Sequence, residues 1–243
     1  VPGVLQAFLK NRKERMKKYI ESLTVPVADL VFPPVCACCG QRLIDRESMV
    51  CEECLNEKFE KVNYTQNDIL PNSVSFHLAL WRFDKYGYLQ NLLHKLKYDH
   101  CTGIGVQLGY EAGRHLMAGN VIKRIKNWAL LAVPLHKKRF RKRGYNQSWE
   151  IAKGVADSAG IHLIDEGFVK RIKSTKTQTG LNSGERASNI SGAFIVTQPS
   201  VIHNKQILLV DDVFTTGATT FELARIIYEI TDRPCGILTI AKA

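Results

Sequence analysis

The spacing of apolar positions divides the chain into three stretches. In residues 4 to 22, Val4, Leu5, Phe8, Leu9, Met16 and Tyr19 recur at helical spacing with six basic residues between Lys10 and Lys18, and Pro26 ends the pattern. The pattern predicts a basic amphipathic helix that packs on the next module or meets a partner or an anionic surface. Ala28 to Phe32 then leads through Pro33 and Pro34 into a cysteine-rich string, and Leu55 to Val62 reads as a short helix leaving it. A polar, turn-rich stretch, NYTQNDILPNS, separates this module from the rest. The predicted divisions are 1–30, 31–62 and 74–243.

From Val74 onward the pattern changes. Strands are predicted at Val74 to Trp81, Ala129 to Val133, Ala193 to Val196, Gln206 to Val210 and Gly236 to Ile240, and helices at Tyr88 to Tyr98, Val106 to Met117, Gln147 to Ala159 and Thr219 to Ile230. Strands alternating with helices of this length predict an α/β fold whose mostly parallel sheet is covered on both faces.

At 243 residues with 45% apolar composition the chain can bury a full core, which excludes disorder and small disulfide scaffolds. The densest apolar runs, Val74 to Trp81 and Trp128 to Leu135, are too short for a membrane span, and the charge order at the start does not suit a signal peptide. The expected compartment is therefore cytoplasmic. The net charge of +11 is unevenly placed: from Ala112 to Trp149 there are ten Lys and Arg residues and no acid. A segment that one-sided suits a diphosphate or a nucleic-acid backbone, or serves only as a solvated surface.

Five of the seven cysteines lie within CACCGQRLIDRESMVCEEC. Cys36, Cys39, Cys51 and Cys54 form two C-x2-C pairs that can place four thiolates around one structural Zn2+, with Gly40 suited to the turn. Cys38 is spare, although a register exchange with Cys36 or Cys39 stays open. Cys101 and Cys235 read as small hydrophobic residues.

The string KQILLVDDVFTTGATT, residues 205 to 220, carries the sharpest chemistry. A buried strand delivers Asp211 and Asp212 at its carboxyl end, and Thr215, Thr216, Gly217, Ala218 and Thr219 turn straight into a helix. Helix-start NH groups, threonine hydroxyls and a permissive glycine make a phosphate cradle, while the acids suit ribose hydroxyls or a hydrated Mg2+. It is neither a P-loop nor a dinucleotide fingerprint. A second string, residues 130 to 152, puts Pro134, His136, Lys137, Lys138 and Arg139 in a polar loop after a strand, where cations can meet a diphosphate.

These blocks resemble the ComF family of competence-associated proteins, close to its GntX-type members. The resemblance rests on the cysteine pairs, VPLHKKRFRKRGYNQS, LLVDDVFTTGAT, LLHKLKY at 92–98, and Lys176, Gln178, Gly180, Leu181, Arg186, Asn189, Gly192, Ala193 and Phe194. It implies a zinc-ribbon module joined to a type I phosphoribosyltransferase-like domain that binds phosphoribosyl diphosphate (PRPP) with Mg2+. Asp211 and Asp212 would hold ribose, Thr215 to Thr219 the 5-phosphate, and His136 to Arg139 the diphosphate. Residues 173–189, with Lys176 as a catalytic candidate, would form the catalytic loop. It also implies a role in natural transformation, beside single-stranded DNA, a DNA translocase and a recombination mediator. Thr215 stands where purine-salvage enzymes carry an acid, so purine salvage is not expected. Phosphoribosyl transfer to an unidentified acceptor and non-catalytic binding of DNA or a partner both remain as readings.

Overall fold

A computed structural model describes residues 33–62, 69–119, 122, 127–173 and 192–243. The chain divides into two compact units, Val1–Cys51 and Glu52–Ala243. The predicted N-terminal helix and Lys176 lie outside the described residues.

The larger unit is built on five parallel strands: β1 (Val74–Arg82), β2 (Trp128–Ala132), β3 (His162–Leu163), β6 (Gln206–Phe214) and β7 (Cys235–Lys242), in the order β1-β7-β6-β2-β3. Two short strands, β4 (Val169–Arg171) and β5 (Phe194–Val196), form a separate antiparallel pair. The helices are α1 (Tyr88–Tyr98), α2 (Thr102–Ala118), α3 (Lys137–Arg143), α4 (Gln147–Ala159) and α5 (Ala218–Thr231).

The central strands read as continuous apolar runs because both of their faces are buried. Ala129, Leu131, Ile207, Leu209 and Ile237 pack in one cluster with Leu223, Ala224 and Ile227 of α5. With a side-chain period of two, the buried Leu130, Leu208, Val210 and Leu238 face the other way, where α2 and α4 meet the sheet. Those two helices approach unusually closely. A Cβ built on Gly109 would stand 1.9 Å from the Ile151 carbonyl oxygen, and one on Gly154 would stand 1.9 Å from that of Val106. This contact explains glycine in two helix interiors, where it otherwise costs about 1 kcal/mol relative to alanine.

Helices α1 and α4 have the predicted bounds, while α2 starts four residues before its predicted Val106. The short pieces differ more. Leu55 to Val62 is not a helix but a single π-helical turn at Cys54–Lys58, after which Lys61 bridges to Trp81 of β1. Strands β3 and β4, with two and three residues, are too short to show a period.

Candidate functional site

Strand β6 does not end at Val210 as its apolar run predicts; it continues to Phe214. The reason is its two neighbours. Pairing with β2 stops at Ala132 and Val210, whereas pairing with β7 runs on through Asp211 with Thr239, Val213 with Ala241 and Phe214 with Lys242. Asp211 and Asp212 therefore lie past the end of one neighbouring strand while still held in register by the other. Phe214 anchors the strand end, its ring stacked on His77 with centroids 3.8 Å apart.

The two acids differ sharply. Asp211 Oδ1 accepts hydrogen bonds from Ser148 Oγ at 2.7 Å and from the Asp212 backbone NH at 2.9 Å. Asp212, 6% exposed, pairs with the Lys97 ammonium at the end of α1. Burial, and then the adjacent Asp212 charge, push Asp211 up to about 7 despite the Ser148 bond. Burial also works against an ionised Asp212, but the charge and hydrogen bond of Lys97 outweigh it, and its carboxyl is held below the usual range. The two acids are thus pushed apart in opposite directions, Asp212 toward the charged form and Asp211 toward the protonated one.

Thr215 and Thr216 follow as exposed residues, and Gly217, with φ 72°, heads α5 in the left-handed region without any side-chain hydrogen bond capping the helix. A Cβ at Gly217 would lie 2.6 Å from the Phe221 ring and 2.7 Å from that of Phe214. Glycine is thus required by the backbone angle and by two aromatic neighbours, in addition to any approach of a ligand. Asp211, Thr215, Thr216, Ala218 and Thr219 line a small cavity of ≈ 40 Å³ at this turn. The Thr220 hydroxyl is directed inward to the Gly217 carbonyl at 3.0 Å.

The expected basic loop at His136 to Arg139 is instead the start of helix α3. His136 is its N-cap, with Nδ1 accepting from the Lys138 NH at 3.2 Å, and Gly144, at φ 79°, ends it. A left-handed glycine seven residues after the helix start is a helix-end signal that the density of charge obscured. His136 is held below its ordinary pKa, first by burial and then by the positive charges of Arg171, Lys138 and Arg139, which favours the neutral imidazole.

The basic run is not one surface. Arg143 turns inward, giving Nη1 to Gln147 Oε1 at 2.6 Å and lying over the Tyr98 ring at 5.2 Å, and its charge also helps to depress Asp212. Lys137, Phe140 and Arg141, at helical i, i+3 and i+4 positions, line a different cavity facing β4. Pro134 and His136 line that cavity as well. Tyr145 is half-buried and donates its hydroxyl to the Leu96 carbonyl, and Trp149 is half-buried too, so neither ring is free for a base to stack on. The exposed ring beside the basic helix is Tyr98, under Lys142 and Arg143.

In the cysteine module, one sulfur from each of Cys36, Cys39, Cys51 and Cys54 lies within 4.8 Å of the other three. Cys39 and Cys51 Sγ are 3.8 Å apart, the separation of about 3.8 Å that four bonds of about 2.3 Å in a tetrahedron require. Cys36 Sγ accepts from the backbone NH groups of Cys38 at 3.4 Å and Cys51 at 3.3 Å. Burial alone would raise its thiol, but the backbone donors of Cys39, Cys51 and Cys38 bring it down to about 6, a value suited to a metal-binding thiolate. Gly40, at φ 78°, makes the turn. Cys38 is not among the four sulfurs, and Cys235 is buried with its thiol pushed up to about 12 by burial.

Lys97 and Ser148 were missing from the sequence-based site. Both stood inside matched blocks, LLHKLKY and GYNQS, but their partners are 115 and 63 residues further along the chain. The parallel sheet, the acid pair at a staggered strand end and the glycine-headed helix define an α/β protein that carries a four-cysteine module.

Its relatives by sequence carry the names of competence and DNA utilization proteins. The chain is similar to competence protein F of Haemophilus influenzae (31% identity over 116 residues, 47% of this chain and 50% of that protein). It is also similar to DNA utilization protein YhgH of Escherichia coli K12 (30% over 146 residues, 57% and 60%) and to competence protein ComFC of Streptococcus pneumoniae (32% over 110 residues, 44% and 45%). The chain spans about half to three-fifths of the length of these curated relatives. No family profile matches it. Among solved structures, a Schistosoma mansoni hypoxanthine-guanine phosphoribosyltransferase aligns at 14% identity and TM-score 0.28, covering 58% of this chain and 66% of that one.

Among the described residues no helix is long and apolar enough to cross a membrane.

Proposed function

We propose that this chain binds PRPP with Mg2+ as a ComF-type phosphoribosyltransferase that acts in the cytoplasm in natural competence and DNA uptake, with transfer to an unidentified acceptor. The observation that carries the reading is the acid pair at a staggered strand end running directly into an uncapped, glycine-headed helix. In this reading Asp211 and Asp212 accept from the ribose hydroxyls. Thr215, Thr216 and the NH groups of Ala218 and Thr219 meet the 5-phosphate, and Lys137, Lys138 and Arg139 meet the diphosphate. Asp211 and Asp212 would be the residues to hold a hydrated Mg2+, since carboxylates are the hard oxygen donors it takes, and the ion would supply charge neutralisation for the diphosphate leaving group. Lys176 serves the reacting centre, with a DNA translocase and a recombination mediator as partners. Isothermal titration tests this directly: PRPP with Mg2+ should bind at least tenfold more tightly than ribose 5-phosphate, and equal affinity without a response to Mg2+ refutes the reading.

The metal of the cysteine module is zinc in this proposal. One zinc per chain should be found by elemental analysis, and Cys39→Ser should release it. Loss of the metal should loosen residues 33–62 while leaving β6 protected from hydrogen exchange.

A second reading, single-stranded DNA binding, is favoured by α3 itself. It is a seven-residue helix with six cations and no buried residue, and the exposed Tyr98 lies beneath two of them. Affinity for an oligonucleotide should fall with salt by about 0.7 in logarithmic slope per phosphate neutralised. Arg141 is the residue to reverse, because reversing Arg143 would also disturb Asp212.

A further inference from the structure

Helix α3 presents a face from which the phosphoribosyl reading uses Lys137 alone, leaving Phe140 and Arg141 unassigned. Lys137, Phe140 and Arg141 form one wall of an open cavity of ≈ 530 Å³, and Val169 to Ile172 form the other. A volume of this size lies within the range of small-molecule sites. Its apolar surface is placed unusually for a water-soluble protein. Phe140, the sole apolar residue of α3, is 43% exposed, and Ile172 across the cavity is 51% exposed. Neither residue has been recruited into the core. Lys170 and Arg171 add cations on the strand side, so charge surrounds an apolar slot on both walls, and among the described residues Glu166 is the only acid lining it.

We propose that this cavity receives one nucleotide unit of a single-stranded nucleic acid, its base lying flat between Phe140 and Ile172 and its flanking phosphates on Lys137, Arg141 and Lys170. The inference rests on the second, DNA-binding reading of α3 and names the place where a base is held. A base has two apolar faces and a polar edge, and its strand supplies an anion on either side. The cavity supplies the complement: an aromatic and an aliphatic wall, cations along both rims, and one carboxyl at the edge. Glu166 is pushed up from its ordinary range, chiefly by burial and then by the Glu150 charge, although the Asn146 amide and Lys153 oppose this. Its carboxyl oxygens can accept from a base edge. An acidic peptide would satisfy the cations but leave Phe140 and Ile172 without a flat partner.

The test uses the full chain with fluorescent ten-residue oligo-dT, dTMP and poly-glutamate as probes across a salt series. Phe140→Ala should weaken oligo-dT by about 5- to 100-fold while leaving the salt slope unchanged, because it removes stacking and no charge. Arg141→Gln should weaken it and reduce the slope by about 0.7. Because Phe140 and Ile172 are exposed, neither substitution should alter the fold, and Ile172→Ser checks the opposite wall independently. Unchanged oligo-dT affinity in both Phe140→Ala and Ile172→Ser overturns the base pocket while leaving the DNA-binding reading intact. Absence of oligo-dT binding by the unaltered protein overturns both. Binding of dTMP as tight as that of oligo-dT, or poly-glutamate binding with the same dependence on Phe140, also overturns the proposal.

Discussion

The acid pair and the basic helix carry opposite charge and were assembled in opposite ways. Asp211 and Asp212 stand inside a strand, with hydrogen bonds and a counter-ion supplied by α4 and α1. Helix α3 buries none of its side chains. An interior charge must be balanced by the fold itself, because leaving it unbalanced costs several kcal/mol. A surface charge can wait for its partner in solution. The comparison teaches that the acid site is set by folding, whereas the basic helix is available to ligands of more than one kind.

The largest effect should come from removing the interior counter-ion. Lys97→Met strands a buried carboxylate, and urea unfolding at pH 7 should show a loss on the order of 3 kcal/mol. The sign is fixed by the direction of the shift. Asp212 is depressed in the fold, so its contribution is present above the unfolded pKa and disappears as pH falls through the folded one. The deficit of Lys97→Met should therefore shrink in acid. A deficit that is the same at pH 3 and pH 7 would mean that Lys97 acts only through packing.

Gly217→Val should follow closely, with a loss of at least about 2 kcal/mol, since it combines a left-handed backbone angle with contact against two phenyl rings. Binding of PRPP should vanish, while zinc content remains unchanged. Gly217→Ala already places a Cβ against both rings at the same backbone angle, so it should show part of the same loss, and Gly217→Ala with Phe221→Leu, which gives the Cβ room, separates the two causes.

Asp211→Asn should act mainly through pH. Asp211 is raised to about 7 in the fold against an unfolded value near 4, so the native state binds its proton more tightly. That stabilisation is complete below about pH 4 and is lost as pH rises through 7. Melting temperatures measured from pH 4 to pH 8 should fall in the unaltered protein and change less in Asp211→Asn. Parallel curves for the two proteins would show that another group governs this window.

The smallest effect on stability belongs to the helix with the most charge. Lys138→Gln together with Lys142→Gln should change unfolding free energy by no more than about 0.5 kcal/mol, or raise it slightly by relieving repulsion between like charges. Oligonucleotide affinity measured on the same samples should fall. A stability loss comparable to that of Lys97→Met would erase the distinction between the two regions.

Local pattern alone determined the parallel α/β class, the bounds of α1 and α4, the spacing of four thiolates and the acid-threonine string. Each of these follows from hydrophobic period, capping residues or short-range ligand spacing, all of which act within about twenty residues. The tertiary structure decided which cations do what. The run from Lys137 to Arg143 is uniform in sequence, yet it divides into Arg143, turned toward Tyr98 and Asp212, and a face of Lys137, Phe140 and Arg141 that lines a cavity. Lys97 became the partner of Asp212, and β6 kept its acids in register beyond the end of β2, only because the helices and β7 docked where they did. Charge pairing depends on distances across the fold, and residues far apart in the chain carry no period by which such a distance can be read.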